Sequence, residues 1–373
     1  MMRAARVLAA ASLLAFPAGA QTPAQTATQS AEQAAADLRA AIETLDKADG
    51  ARNRIAALTQ TIRAYELGLG ALREGLRSSA LKEGEIRARF DARRDTIGQL
   101  LAAMAAMEAA PGPLVLLHPD GPEAAARSGM ILASVQPALE AEAARLRGDL
   151  QEIARMRALQ DSALAALQEG LAAAQASRTA LSQAVQDRTD LPQRFLEDPE
   201  ELRALVENAE TLEGFARGVA RLQSDVGPPM EDFEGAKGTL PLPVVGTLLR
   251  RAGEADAAGI VRPGVLIATR PAALVTTPWL ATIRYRGPLL DYKNVMILEP
   301  ASGYLLVLAG LATVYGETGD VLDAGAPVGL MGGEEAALSE GAGAERTETL
   351  YIEVRQDAEP IDPAPWFEQL REE

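Results

Sequence analysis

The stretch Thr349-Leu350-Tyr351-Ile352-Glu353-Val354-Arg355 decides how the C-terminal part of this chain folds. Its residues alternate with a period of two, which predicts a β-strand whose successive side chains point to opposite faces. One face carries Leu350, Ile352 and Val354, and the other carries Thr349, Tyr351, Glu353 and Arg355. The apolar face suits a protein core. We therefore predict that the second face, including Tyr351 and Arg355, points toward solvent.

Upstream of this strand, short apolar runs alternate with glycine-containing turns. The runs are Gly259–Ala268, Asn294–Leu298, Gly303–Leu308 and Gly319–Gly332. Short apolar runs bounded by glycine and proline are typical of a compact antiparallel β domain. We place this domain at residues 238–373.

The order of these runs, closed by Ile361-Asp362-Pro363-Ala364-Pro365-Trp366, resembles the LytM-type (M23) zinc endopeptidase domain, which cleaves peptidoglycan cross-links. Active members carry a His-x-Gly-x-Asp motif, a later His-x-His motif and a further histidine after the Gly-Tyr strand. These residues supply the metal ligands and a catalytic histidine. At the matching positions this chain has Arg262, Leu266, Thr349, Tyr351 and Gly310.

None of these five side chains is a usual zinc ligand, since zinc in proteins is bound by imidazole, thiolate or carboxylate groups. The chain has no cysteine and a single histidine, His118, far outside the domain. We therefore predict that the protein has no metal cofactor and is not an enzyme. A scaffold that lacks the ligands of its family is most simply a binding module, because a fold alone confers no chemistry.

Residues 1–20 have the pattern of a secretory signal peptide. Arg3 and Arg6 precede the apolar run Val7–Phe16, and the small residues Ala18-Gly19-Ala20 follow it. This order predicts cleavage before Gln21 and export from the cytoplasm. A membrane anchor is the alternative, but the apolar run is shorter than the ~20 residues that a spanning helix needs.

The chain is acidic, with a formal net charge of −16. Such a charge repels phosphate backbones and anionic lipids. We therefore predict that nucleic acid is not a partner.

Residues 21–190 are predicted to form a long coiled-coil hairpin. Apolar residues recur at alternating steps of three and four in two runs, which is the spacing of a coiled-coil seam. The first run is Ile55, Leu58, Ile62, Tyr65, Leu69, Leu72 and Leu76. The second is Leu164, Leu167, Leu171, Ala174, Arg178, Leu181 and Val185. A break between the runs predicts that the two arms are antiparallel.

The break between the arms, at about residues 98–137, is more apolar than a solvated hairpin tip requires. Prolines at 111 and 122 end the helices on either side. The tip either folds on itself as a small helical knob or exposes a docking patch. The candidate docking residues are Met104, Met107, Leu114, Leu116, Leu117, Met130 and Ile131. His118 is predicted to be a loop residue without a chemical role.

Residues 191–237 are predicted to hold an amphipathic helix and a linker. Asp198 and Pro199 form a strong helix start, with Glu200 and Glu201 in the first turn. We predict one helix from Pro199 to Leu222 with an apolar stripe. Its role is either ordinary packing or a cover for the groove of the β domain.

Taken over its whole length, the chain resembles the murein hydrolase activator EnvC family, whose members have a signal peptide, a coiled-coil hairpin and a degenerate LytM domain. The predicted fold is therefore α+β in two parts: a long antiparallel coiled-coil hairpin followed by a small, mainly antiparallel β domain of LytM (M23) type. In that family the hairpin tip contacts the periplasmic loop of FtsX in the FtsEX division complex, and a helix near residues 199–222 covers the LytM groove.

The resemblance implies a non-catalytic periplasmic activator of zinc-dependent N-acetylmuramoyl-L-alanine amidases, acting in cell division and daughter-cell separation. Peptidoglycan itself is a further candidate partner. The amidase-binding groove implied by the family pattern consists of Leu266, Tyr292, Val295, Tyr351 and Arg355. For Leu266 and Val295 a place in the core is the equal alternative. A passive envelope scaffold or peptidoglycan-binding protein, and an active M23-type endopeptidase, are the competing functions.

Overall fold

A computed structural model describes residues 37, 40–48, 50–92, 98–99, 102, 122–188, 191–192, 199–222, 232–333 and 348–371. Within 122–143, and at residue 159, it describes the backbone but not every side chain. This part of the chain combines helices with one antiparallel sheet. No helix in it is both long enough and apolar enough to cross a membrane. The predicted signal peptide lies outside the described residues.

Two long helices, α1 (Ala51–Ala92) and α2 (Pro122–Gln186), lie side by side. Leu69 of α1 packs in one cluster with Leu167 and Ala174 of α2. Further along α1, Glu83 accepts a hydrogen bond from Arg157 at 3.1 Å. Residue numbers therefore rise along one helix as they fall along the other, so the two helices are antiparallel. Helix α2 includes residues 122–137, which the sequence had placed in the tip, and it continues through Pro137.

The C-terminal part is a ten-stranded sheet. Its strands are β1 (Gly246–Arg250), β2 (Val265–Thr269), β3 (Leu274–Thr276), β4 (Ala281–Pro288), β5 (Asn294–Ala301), β6 (Tyr304–Val314), β7 (Val321–Leu322), β8 (Pro327–Met331), β9 (Glu348–Gln356) and β10 (Glu359–Ile361). The main order is β1-β2-β9-β6-β5-β4-β7, while β10 pairs with β9 and β8 pairs with both β3 and β6. Strand β9 therefore lies inside the sheet, with hydrogen-bonded neighbours on both sides.

One face of the sheet forms the main core. Leu350, Ile352 and Val354 of β9 are buried there, as the alternation in sequence predicts. Phe233 stacks on Trp366 at 4.7 Å between ring centroids and closes one end of this core. The short helix α5 (Glu368–Arg371) adds the buried Leu370.

The opposite face of the sheet packs against two short helices, α3 (Pro199–Glu207) and α4 (Leu212–Arg221). The prediction of one continuous helix is wrong. Thr211 has an extended backbone, and its side chain accepts a hydrogen bond from the Gly214 amide at 3.0 Å, so a new helix begins there. The two helices touch closely, since a Cβ at Gly218 would lie 2.7 Å from Leu205.

The start of α1 and the end of α2 pack against strand β3 of the sheet. Ile62 and Leu181 pack against Leu274 of β3. The buried carboxylate of Glu66 accepts hydrogen bonds from Arg178 at 3.0 Å and from the Leu274 amide at 2.9 Å. A buried charge is tolerated when it is paired and hydrogen-bonded. The helix pair and the sheet therefore share an interface.

Candidate functional site

A row of side chains crosses four strands on the helix-covered face of the sheet. Leu266 lies opposite Tyr351, Tyr351 lies opposite Ala309, and Ala309 lies opposite Val295. Three residues of the predicted groove are therefore neighbours in space. Tyr292, in the turn between β4 and β5, packs against the same cluster. Leu266, Tyr292, Val295 and Tyr351 therefore belong to one contiguous cluster.

The side chain of Tyr351 is locked by two hydrogen bonds. Its hydroxyl accepts from the Gly264 amide at 3.0 Å and donates to the Glu353 carboxylate at 2.6 Å. Burial, together with the negative charge of Glu353, raises the pKa of the Tyr351 phenol far above its usual value. The phenol therefore stays protonated and acts as a hydrogen-bond donor.

Gly264 makes room for this tyrosine. A Cβ at Gly264 would lie 2.6 Å from the ring carbon Cζ of Tyr351 and 2.4 Å from the carbonyl oxygen of Ile352. Both distances are shorter than real Cβ contacts, and the carbonyl belongs to a strand that cannot easily move. Glycine is therefore required here for the close approach of the two backbones.

Arg355 is fully buried, so the prediction that its side chain reaches solvent is wrong. Its guanidinium donates to the Glu353 carboxylate and to the carbonyl oxygen of Ala358. Glu353 is only 1% exposed. The two charges pair on the same face of the strand, which offsets much of the cost of burying that face, although Nε of Arg355 has no hydrogen-bond partner among the described residues.

The prediction that Tyr351 points toward solvent is also wrong, and Val295 takes one of its two predicted places. Tyr351 is 6% exposed because its ring packs in the apolar cluster beneath the helices. Val295 is completely buried in the same cluster, in agreement with the alternative of a core position. Leu266 and Tyr292 are half-buried.

Helix α4 covers this face through both apolar and polar contacts. The Phe215 ring meets Tyr285 edge-on at 4.7 Å, and Val219 packs in the cluster that contains Val295 and Tyr351. Arg284 of the sheet donates to the carbonyl oxygen of Leu222 at 3.1 Å, just beyond the helix, and pairs with Glu299 at 2.7 Å. The sheet therefore satisfies carbonyl groups that the helix C-terminus leaves open.

A small cleft opens beside Tyr351, where the family pattern would place the metal. Its walls are Arg250, Arg251, Glu254, Arg262, Gly264, Leu266 and Tyr351. Arg262 pairs with Asp256 at 2.9 Å. The hydrogen bonds from the Ile260 amide and from Arg262 hold the pKa of Asp256 below its usual value. The sequence prediction did not include Arg250, Arg251 and Glu254, because no part of the family pattern falls on them.

The residues around the cleft do not fit a zinc ion. Leu266 has no donor atom, Arg262 is a cation, and the Tyr351 hydroxyl is already engaged. Among the residues that the structure describes, no group of three or more His, Cys, Asp or Glu side chains could hold a metal. We therefore derive no metal-dependent step from this site.

The predicted docking tip is largely outside the described part of the chain. Met104, Met107, Leu114, Leu116, Leu117 and His118 all lie there. Met130 belongs to α2 and is 76% exposed. Ile131 is helical, but its side chain is not among those described.

Comparison with known proteins gives distant matches. No family model matches the chain. The "Uncharacterized protein NMB1333" of Neisseria meningitidis serogroup B is 26% identical over 137 residues, which are 37% of this chain and 21% of that protein. The match therefore spans about a fifth of the length of that relative.

Several solved structures align with part of the chain. A Pseudomonas aeruginosa protein assigned to peptidase class M23 is 16% identical, with a TM-score of 0.31 over 46% of this chain and 63% of that one. Lysostaphin is 16% identical, with a TM-score of 0.28 over 34% of this chain and 51% of that one. A chain of the SpoIIQ–SpoIIIAH pore-forming complex is 20% identical, with a TM-score of 0.28 over 34% and 90%.

Proposed function

We propose that this protein is a non-catalytic periplasmic activator of a zinc-dependent N-acetylmuramoyl-L-alanine amidase, built on a degenerate LytM (M23) domain. One observation carries the proposal. Leu266 and Tyr351 lie directly opposite each other without a donor free for a metal, at positions that the resemblance assigns to zinc binding or catalysis in active M23 members.

A hydrolytic role would require a metal-bound water or another activated nucleophile at this place. The cleft offers instead guanidinium groups, an aliphatic side chain and a phenol that keeps its proton. Arginine and tyrosine are enriched among the residues that dominate protein–protein binding. The chemistry of the site therefore favours binding over catalysis.

The helices that cover the sheet support an activator whose binding face is blocked at rest. Helices α3 and α4 pack on the face that contains Val295 and Tyr351, so a partner can reach these residues only if the helices move. A ligand that binds only the uncovered state shifts the population toward that state. In this proposal the helices lower the activity of the resting protein without abolishing it, because the amidase binds only the fraction of molecules in which they are displaced.

The long helices have a docking role in this proposal. We assign the antiparallel pair α1 and α2 to a coiled-coil hairpin, and the apolar tip between them to docking on the FtsX periplasmic loop of the FtsEX complex. The interface of Glu66 and Leu274 supports mechanical coupling, since it joins the root of the hairpin directly to the sheet.

The test is dye release from labelled peptidoglycan by the purified chain from Gln21 onward, here called the mature chain. The protein alone should release no dye. Added to the periplasmic amidases of the same organism, it should raise the release by at least one of them severalfold. Release by the protein alone that a zinc chelator abolishes would instead identify an active endopeptidase.

A further inference from the structure

We propose that the cleft lined by Arg250, Arg251 and Arg262 is a carboxylate-binding site that receives an acidic, amphipathic protein segment. The inference deepens the proposed function, because it names the part of the domain that recognises the amidase and the chemistry of the segment bound. The identity of the partner rests on the proposed function, whereas the existence of the site does not.

The arginines are held together by the backbone of a small loop. The Gly253 amide donates to the carbonyl oxygen of Arg262 at 2.9 Å, and Ala255 bridges to Val261. These contacts bring the chain from Arg251 back to Arg262. Asp256 fixes the loop by accepting from the Ile260 amide at 2.9 Å and from Arg262 at 2.9 Å. The guanidinium groups thus belong to a structured loop.

Two of the three guanidinium groups are available to a ligand. Arg262 is paired with Asp256, but the side chains of Arg250 and Arg251 have no hydrogen bond or ion pair within the described part of the chain. Arg250 is half-buried against the cleft and Arg251 is exposed. Glu254 contributes a carboxylate, which accepts from the backbone amide of Arg251 at 3.0 Å. Arginines without a partner at the wall of a cleft fit a carboxylate, which a guanidinium group binds through two parallel hydrogen bonds.

Exposed apolar side chains are close in sequence to residues of the cleft. In residues 232–333 and 348–371, the large apolar side chains that are exposed are Leu249, Ile260, Val261 and Leu290. Leu249 directly precedes Arg250, and Ile260 and Val261 directly precede Arg262. Leu290 lies two residues before Tyr292, which packs against the cluster that contains Leu266 and Tyr351. All four therefore lie close in sequence to residues at or beside the cleft.

This combination identifies the class of ligand. Free guanidinium groups in a chain of net charge −16 favour an anionic partner, since most of the surface repels one. Exposed leucine, isoleucine and valine favour apolar side chains over the hydroxyl groups of a glycan strand. A peptide segment with leucine-type residues on one face and Asp or Glu beside them satisfies both features.

The binding experiment uses the full mature chain and a fluorescent helical peptide of about 15 residues, with leucines on one face and glutamates on the other. A twin peptide carries glutamine in place of every glutamate. The protein variants are Arg250→Gln with Arg251→Gln, Val261→Asp, and the control Arg89→Gln, which removes an exposed arginine of helix α1. Soluble muropeptides serve as competitors. Thermal unfolding checks that the variants remain folded.

We expect wild type to bind the glutamate peptide about tenfold more tightly than its twin, and this preference should shrink at high salt. The double arginine variant should lose the preference, Val261→Asp should weaken binding of both peptides, and Arg89→Gln should bind like wild type. Equal affinity for the two peptides, or unchanged binding by the double variant, would overturn the proposal. Binding of muropeptides in place of the peptide would also overturn it.

The same variants in the dye-release assay separate this inference from the proposed function. If wild type activates an amidase and the double variant activates it equally well, the cleft is not the recognition site and the activator function stands. If wild type activates no amidase but prefers the glutamate peptide through Arg250 and Arg251, the activator function fails and the carboxylate site stands.

Discussion

The two faces of strand β9 are both buried, but by different means. Leu350, Ile352 and Val354 enter an apolar core, whereas Glu353 and Arg355 on the other face are buried as an ion pair beside the hydrogen-bonded Tyr351. The stability of the first face comes from close packing of apolar side chains. The stability of the second comes from paired charges and hydrogen bonds. Alternation in a sequence therefore predicts which residues share a face, and it does not predict whether that face meets water.

The largest effect should come from breaking the buried ion pair. Arg355→Ala leaves the Glu353 carboxylate buried without its counter-charge, so the free energy of unfolding should fall by about 3–5 kcal/mol. Urea denaturation followed by circular dichroism measures this change. The double variant Glu353→Leu with Arg355→Leu should recover much of the loss. A loss below about 1 kcal/mol for Arg355→Ala would place this side chain in solvent after all.

On the apolar face the cost should follow the volume removed. Ile352→Ala should lower the free energy of unfolding by about 3 kcal/mol, because it removes buried carbon and leaves a cavity. Ile352→Val, the matched control, should cost only about 1 kcal/mol. If the two variants were equally stable, this face would not be closely packed.

The hydroxyl of Tyr351 should have a smaller, separable effect. Tyr351→Phe keeps the ring but leaves the Gly264 amide and one Glu353 oxygen without their partner, so stability should fall by about 1–2 kcal/mol. Tyr285→Phe is the matched control, since its hydroxyl makes one bond, to the carbonyl oxygen of Pro288 at 2.8 Å. The control should lose less in the same urea titration, and the reverse order would argue against the Tyr351 network.

The smallest effect concerns pH at the loop beside the cleft. The folded-state pKa of Asp256 lies below its ordinary value of 3.8. Its contribution to loop order is therefore present above pH 3.8 and is lost as the pH falls through the lower folded value. The hydrogen-exchange protection of the Ile260 amide should decline in that range. Asp256→Asn should remove this pH dependence, and an unchanged pH profile in the variant would exclude Asp256 as its source.

The sequence predicted much of the local structure. The faces of β9 follow directly from its period, and the start of α3 follows from the proline and acidic residues that open it. Four residues of the predicted groove lie in one cluster because antiparallel pairing places Leu266, Tyr351 and Val295 in register. Local patterns and a family resemblance were sufficient for these features.

Other features depend on contacts between distant parts of the chain. Val295 is buried beneath helix residues about 80 positions upstream, including Phe215, and no local pattern shows that contact. Arg355 looked exposed because charged residues usually are, but Glu353 and the Ala358 carbonyl compensate its burial. Thr211 caps the start of a second helix, and the apolar stripe, which continues across both helices, gives no sign of this break.

The central claim is that helices α3 and α4 hold a non-catalytic binding face covered until a partner is admitted. The most direct measurement is amidase-dependent dye release with Phe215→Ala, which weakens the cover by deleting the ring that packs on Tyr285. Loss of this buried ring removes packing that holds helix α4 on the sheet, so the uncovered population should rise. The account predicts severalfold higher activation than wild type and no release without amidase. Activation equal to wild type by a folded Phe215→Ala protein would contradict it.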